Sequence, residues 1–157
     1  MSYHIDIQHA SEDIIPITDE RLRHWALQTL TPYRESAELT IRFVDANEMT
    51  HLNNVYRKKN KVTNVLAFPA TYPDAIDLEY PLLGDVIICP AVLRQESVDL
   101  STTLEAHWAH IVMHGILHLL GYDHIKDEDA MVMQTIEIKL LFELGFDNPY
   151  TDRGNTD

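Results

Sequence analysis

The chain has 157 residues, and its apolar share of 45% is enough to fill the core of one domain. No run of about 20 apolar residues is present to span a membrane, and the first residues lack the basic start and apolar run of a signal peptide. We therefore expect a soluble, cytoplasmic, single-domain protein over residues 1–157, with no membrane partner. A formal net charge of −13 argues, taken alone, against a nucleic-acid partner.

The basic residues are unevenly distributed. Four of the 12 cations fall within the segment "YRKKNK", as Arg57, Lys58, Lys59 and Lys61. The sequence therefore does not exclude a local basic site on an otherwise acidic protein.

The first half of the chain predicts strands that alternate with helices. "YHIDIQ" and "ELTIRFV" alternate apolar and polar residues as half-buried strands do, and "TDERLRHWALQTL" between them has a helical repeat. Asp45 followed by Glu48 resembles a capping box. We expect the short helix that this pair opens to bury Met49, Leu52 and Val55.

The second half predicts two buried strands followed by helices. "NVLAF" and "DVIIC" are compact apolar runs, and "TTLEAHWAHIVMHGILHLLG" is the longest helical pattern, ending at Gly121. A last helix is expected from about Asp127 to Leu144, closed by Gly145. The order of elements predicts an α+β fold in which helices flank a mixed sheet.

Three histidines in "HGILHLLGYDH" have the spacing of a metal site. His114 and His118 lie one helical turn apart on the same face, and a positive φ at Gly121 would let the chain turn and direct His124 at the same ion. Three protein ligands leave one tetrahedral position open, which is typical of a catalytic zinc site. We expect one zinc ion per chain, although imidazole ligands also suit nickel and other metals.

Other polar residues accompany this motif. His107 and His110 extend the stripe backward and could support the site or line its cleft. Asp123 is either a hydrogen-bond acceptor for a ligand imidazole or a capping residue of the turn. Glu137 interrupts the apolar stripe of the last helix, where a buried carboxylate would need a histidine or arginine partner. A rim position in water is the default expectation for Glu137.

The motif differs from that of zinc peptidases at one position. Their H-E-x-x-H helix carries a glutamate that removes a proton from water, and this chain has Gly115 there. A peptidase would have to recruit a base such as Glu105 or Asp85. Zinc acidifies bound water without a carboxylate, and a phosphodiester mainly requires neutralisation of an anionic transition state, for which Arg57 offers a guanidinium.

These segments resemble a known family. "HGILHLLGYDH", preceded by "NNVYRKKNKVTNVLAFP" and "LLGDVIIC", is similar to the YbeY-type rRNA maturation endoribonucleases, and the similarity continues to "LGFDNPY". It implies a zincin-like fold, zinc held by His114, His118 and His124, and an important arginine at Arg57. The candidate catalytic residues are therefore Arg57 and His114. One departure is Ala67, where the family commonly has serine.

The resemblance also implies a function. It implies a zinc-dependent endoribonuclease specific for single-stranded RNA, which matures the 3′ end of small-subunit rRNA and acts in ribosome quality control. The expected partners are rRNA and the ribosome or its small subunit. Two alternatives stay open: a non-catalytic, zinc-stabilised ribosome-binding module and, ranked below it, a zinc metallopeptidase.

Overall fold

The computed structural model describes residues 2–71, 81–122 and 126–150. In this part of the chain, four strands form one mixed sheet and five helices pack around it. In chain order the elements are β1 (Ser2–His9), α1 (Asp19–Leu30), β2 (Ser36–Phe43), α2 (Ala46–Arg57), β3 (Val65–Pro69), β4 (Leu82–Ile88), α3 (Pro90–Asp99), α4 (Leu104–Leu119) and α5 (Asp127–Glu143). The α+β architecture predicted from the sequence is confirmed.

The sheet has the strand order β1-β2-β4-β3. β1, β2 and β4 are parallel, and β3 runs antiparallel to β4 at one edge. Gly84 allows β3 and β4 to approach each other, because its φ is +136° and a Cβ there would overlap the Phe68 carbonyl oxygen. The edge strand β3 is thereby held beside the helix that carries the histidines.

Helix α4 is the central element of the fold. It contacts α1, α3 and α5 as well as strands β3 and β4. Its apolar side chains, among them Trp108, Val112 and Ile116, are buried in the main core together with Val86 and Ile88 of β4. Because α4 is enclosed by other elements, its polar residues either need buried partners or must face a cleft.

The opposite face of the sheet is covered by a smaller cluster. Met49 of α2 packs there with Leu66 of β3 and Ile87 of β4. Alternation along β3 and β4 thus directs one set of side chains toward α4 and the other toward α2. The two helices that carry the candidate site residues lie on opposite faces of the sheet, and residues of both line a space at its β3 edge.

Two expectations for α2 were wrong. The Asp45–Glu48 capping box does not form, because the Asp45 carboxylate accepts hydrogen bonds from Ser11 and Glu12, and Glu48 pairs with Arg42. Val55 is 53% exposed, whereas Met49 is fully buried as expected. Partners outside the helix therefore replaced the local cap.

Helix α3 was not predicted individually, since its sequence has a weak apolar stripe.

Among the helices in the described ranges, none is long and apolar enough to cross a membrane.

Candidate active site

A cleft of about 790 Å³ lies between α4, the edge strand β3 and the end of α2. His114 and His118 line it from α4, and Arg57 lines it from the last residue of α2. Ala67, at the position where the resemblance led us to expect serine, lines the cleft from β3. The structure therefore brings together Arg57 of the basic segment and two of the three predicted metal ligands.

The two cleft histidines present nitrogen atoms to each other. The Nε2 atoms of His114 and His118 are 3.1 Å apart, as expected for residues one turn apart on one helix face. Two nitrogen ligands of one tetrahedral zinc ion lie about 3.3 Å apart, given Zn–N bonds of about 2.0–2.1 Å. The spacing of the pair therefore fits a shared metal ion.

The other ring nitrogen of His114 contacts a buried carboxylate. His114 Nδ1 lies 2.7 Å from Glu137 Oε2. An ionised carboxylate can only accept, so Nδ1 carries the proton in this bond. In the neutral ring, Nε2 then keeps its lone pair, and this is the nitrogen that faces His118 and the cleft.

Glu137 is a fully buried residue of α5, so the expectation of a rim position in water was wrong. Its Oε1 lies 3.3 Å from His110 Nε2 and accepts a hydrogen bond from the Tyr150 hydroxyl. Burial alone would raise the pKa of Glu137, but the hydrogen bonds and charges of His110 and His114 lower it to about 2. Burial and the Glu137 carboxylate together raise the pKa of Tyr150.

A second set of atoms around Glu137 is also close enough to hold a metal ion. One ligand atom each from His110, His114 and Glu137 lies within 4.8 Å of the others. The structure thus contains, besides the His114–His118 pair, a second group whose atoms are close enough to hold a metal ion. His124 and Asp123 lie outside the described residues, so the complete three-histidine ligand set stays a prediction.

Gly115 lies where α4 contacts the sheet, and this contact explains the missing glutamate. A Cβ at position 115 would lie 2.6 Å from Val86 Cγ1 and 3.2 Å from Val65 Cγ2. Val86 is fully buried and β-branched, so its side chain has little freedom to move away. No side chain larger than a hydrogen atom fits between helix and sheet at this position without a shift.

The bases considered for a peptidase lie elsewhere. Glu105 forms an ion pair with Arg21 at the protein surface, and Asp85 is exposed on β4. Neither lines the cleft, and among the described residues that do line it there is no carboxylate. Arg57 is the cleft's cation in the same set, so the local charge favours an anion.

The basic segment after α2 is held in place by backbone contacts and one buried amide. Lys58 ends the helix with a left-handed φ of 57°, and its N–H donates to the Asn54 carbonyl. Asn53, which is 1% exposed, donates from Nδ2 to the Lys61 carbonyl at 2.9 Å. The cationic side chains remain exposed while the chain that carries them is anchored.

A second histidine–carboxylate pair, between buried His107 and partly buried Glu96, contacts the cleft residue Asn64. His107 Nε2 lies 2.9 Å from Glu96 Oε1, and the same carboxylate accepts from Asn64, a cleft residue, at 3.2 Å. Burial alone would raise the pKa of Glu96, but the hydrogen bonds from His107 and Asn64 hold it below its usual value. His107 and His110 therefore bind carboxylates. Sequence reasoning missed Glu96, because α3 itself was missed.

Comparison with known proteins agrees with these features. The family model described as endoribonuclease YbeY matches residues 6–145. The chain belongs to this family. Proteins named endoribonuclease YbeY are 57% identical in Legionella pneumophila (strain Corby), over 96% of this chain and 95% of the relative, and 50% identical in Pseudomonas putida (strain F1), over 94% and 93%.

A solved structure shares the fold. The solution structure of a Thermotoga maritima protein superposes with a TM-score of 0.61 at 23% identity, covering 95% of this chain and 99% of that one. The family model and the curated relatives confirm the resemblance to the YbeY family over nearly the whole chain.

Proposed function

We propose that this chain is a zinc-dependent endoribonuclease that cuts single-stranded RNA, with small-subunit rRNA as its substrate. An RNA-cleaving hydrolase is what the relatives are named for. The single observation that carries the proposal for this chain is the composition of its cleft. A histidine pair and a guanidinium face the same space, and no carboxylate among the described residues lines it.

The proposed metal ligands are the Nε2 atoms of His114 and His118, completed by His124. The 3.1 Å separation of the first two atoms supports this assignment. A bound zinc ion would supply Lewis-acid chemistry, polarising a phosphoryl oxygen and acidifying water. Nickel or another metal suited to imidazole is the alternative ion.

Glu137 is assigned as a positioning residue for His114. The alternative is direct ligation by the group His110, His114 and Glu137. In this structure His114 Nδ1 lies at hydrogen-bond distance, 2.7 Å, from the Glu137 carboxylate. Metal-binding histidines commonly donate their other ring N–H to a carboxylate, which fixes the ring and makes it a stronger ligand. The buried carboxylate therefore fits the supporting role better.

Arg57 is proposed to stabilise the charge that develops on the phosphoryl oxygens during cleavage. Its guanidinium can donate two parallel hydrogen bonds to a phosphate, and in a partly enclosed cleft such donors act more strongly than in water. Lys58, Lys59 and Lys61 follow on the exposed segment and offer further contacts to the RNA backbone. The net charge of −13 is compatible with RNA binding because these cations are concentrated in one segment that begins at the cleft residue Arg57.

The peptidase alternative has little support. The position of its glutamate is closed by Val86, and Glu105 and Asp85 lie away from the cleft. The ribosome-binding module remains the competing function, because binding needs the basic segment but no open metal position. In the proposed role the protein acts in the cytoplasm on the 3′ end of small-subunit rRNA and in ribosome quality control.

The deciding experiment compares cleavage by wild type and by His118→Ala, with the zinc content of each measured. The substrates are small ribosomal particles and single-stranded RNA. Fragment ends are mapped by sequencing. We expect wild type to produce defined ends near the 3′ terminus of small-subunit rRNA, and His118→Ala to produce none. A zinc-replete wild type that binds the particles and never cuts RNA would establish the binding module instead.

A further inference from the structure

An exposed aromatic side chain stands beside Arg57 on the cleft wall. Tyr56 is 63% exposed and, like Arg57, belongs to the last turn of α2. Its ring packs on Phe68 of β3, with 4.7 Å between the ring centroids and 54° between the planes. Both rings line the cleft that contains His114 and His118.

The environment of the Tyr56 ring differs from that of an aromatic residue in a core. Phe68 is partly buried against the smaller cluster and supports one side of Tyr56, while much of the Tyr56 surface remains in contact with solvent. A ring that is already supported loses little freedom when a flat ligand stacks on it. The pair therefore forms a preorganised aromatic platform in the same cleft as the guanidinium of Arg57.

We infer that Tyr56, supported by Phe68, is a stacking site for one unpaired nucleobase of the RNA substrate. The inference rests on the proposed function and adds a base-binding subsite to it. Single-stranded nucleic acid is bound in this way elsewhere, by cations that contact the backbone and aromatic rings on which bases stack. Because Tyr56 and Arg57 line the same cleft, a phosphate at the guanidinium would place a neighbouring base near the platform.

This subsite gives a physical origin for a preference for single strands. A base within an A-form duplex is stacked on both faces and paired along its edge, so neither face is available to Tyr56. A base in a single strand can rotate out and stack on the ring. Duplex RNA would reach Arg57 and the lysines, but it would lose the contact with Tyr56.

The first test measures single-turnover cleavage of a single-stranded RNA as a function of enzyme concentration. Wild type is compared with Tyr56→Ala, Tyr56→Trp and, as a matched control, Phe142→Ala, which removes a 78% exposed aromatic ring on α5 outside the cleft lining. We expect Tyr56→Ala to raise the half-saturating concentration roughly tenfold, in line with the strength of base–aromatic stacking. Tyr56→Trp should restore it, and Phe142→Ala should leave it unchanged. Thermal denaturation and zinc content are measured for every variant.

The second test removes single bases from the RNA instead of the Tyr56 ring from the protein. Abasic nucleotides are introduced one position at a time, and binding is followed by fluorescence anisotropy. We expect one position at which the abasic RNA binds wild type several-fold more weakly but binds Tyr56→Ala as the intact RNA does. Equal losses in both proteins at every position, or an unchanged half-saturating concentration in Tyr56→Ala, would overturn the stacking site. In particular, a Tyr56→Ala protein with lower thermal stability and unchanged RNA affinity would show that the ring only covers Phe68.

The two proposals can fail separately. If wild type binds single-stranded RNA with this position-specific dependence on Tyr56 but never cuts it, the proposed function is overturned and the stacking site is supported. If wild type cuts RNA and Tyr56→Ala cuts it equally well at every enzyme concentration, only the stacking site is overturned.

Discussion

The two walls of the cleft are built in opposite ways. On the α4 wall, His114 is fixed by a hydrogen bond to Glu137, which is fully buried between helices. On the α2 wall, Tyr56 and Arg57 are exposed, and the basic segment that follows is anchored through its backbone by Asn53. Changes on the first wall should therefore alter folding and metal binding together. Changes on the second should alter RNA binding and cleavage and leave folding and metal binding unchanged.

The largest effect is expected from His114→Ala. This change removes a proposed metal ligand and leaves one oxygen of Glu137 without its partner, so we expect loss of the metal and of measurable cleavage. Loss of a buried hydrogen-bond partner should also lower the free energy of unfolding by about 1–3 kcal/mol. Metal content per chain and urea denaturation measure the two effects, with His24→Ala on the exposed surface of α1 as the control. Full metal occupancy in His114→Ala would contradict the ligand assignment.

Arg57→Ala should separate the two walls most clearly. We expect the metal and the stability to be retained, because Arg57 is exposed, while single-turnover cleavage falls by roughly 10²–10³-fold. Arg57→Lys should recover only part of the rate, since an ammonium group cannot form the two parallel hydrogen bonds. Near-wild-type turnover by zinc-loaded Arg57→Ala would exclude the proposed role.

Glu137→Gln tests whether the buried carboxylate acts through His114. The amide has nearly the same shape but lacks the charge, so His114 becomes a weaker ligand and zinc affinity should fall by about 10–100-fold. Competition with a chromophoric chelator measures this affinity. Tyr150→Phe, which removes one hydrogen bond to Glu137 and leaves the carboxylate, should have a smaller effect in the same direction. Unchanged zinc affinity in Glu137→Gln would show that His114 needs no such support.

The smallest effects are expected from the lysines on the α2 wall. Each phosphate contact contributes about 0.7 to the slope of log affinity against log salt for a single strand. Replacing Lys58, Lys59 and Lys61 by alanine should therefore make the salt dependence of RNA binding shallower, while Lys139→Ala on the exposed face of α5 should not. Titration of a fluorescent RNA at several salt concentrations gives the slopes. If wild type itself shows no salt dependence, the segment does not touch phosphates.

The two walls also differ in how well the sequence predicted them. Helices α1 and α4 were predicted from periodic apolar residues, because a helix that buries one face must repeat at about 3.6 residues. Glu137 was expected at the rim, since the pattern of α5 alone cannot show that His110 and His114 of another helix face it. Its partners lie 23 and 27 positions away in the sequence.

The strand order could not be predicted for a similar reason. Alternation shows which side chains of β3 and β4 share a face, but it does not show which strand is the neighbour of which. Arg57 was recognised from the chemistry of its segment and the family resemblance. Tyr56 was not singled out, because its significance depends on contact with Phe68 and on its exposure beside the cleft.

The contact between Gly115 and Val86 also limits how this scaffold can be redesigned. The substitution Gly115→Glu would restore the H-E-x-x-H sequence of a zinc peptidase. The new side chain would begin inside the van der Waals envelope of Val86 and would push α4 away from the sheet, carrying His114 and His118 with it. The conversion therefore requires at least a smaller residue at position 86 as well. The effects of the two substitutions are coupled because residues 115 and 86 are in contact. A change from RNA cleavage to peptide cleavage would need both substitutions together, and the pair must also preserve the metal geometry.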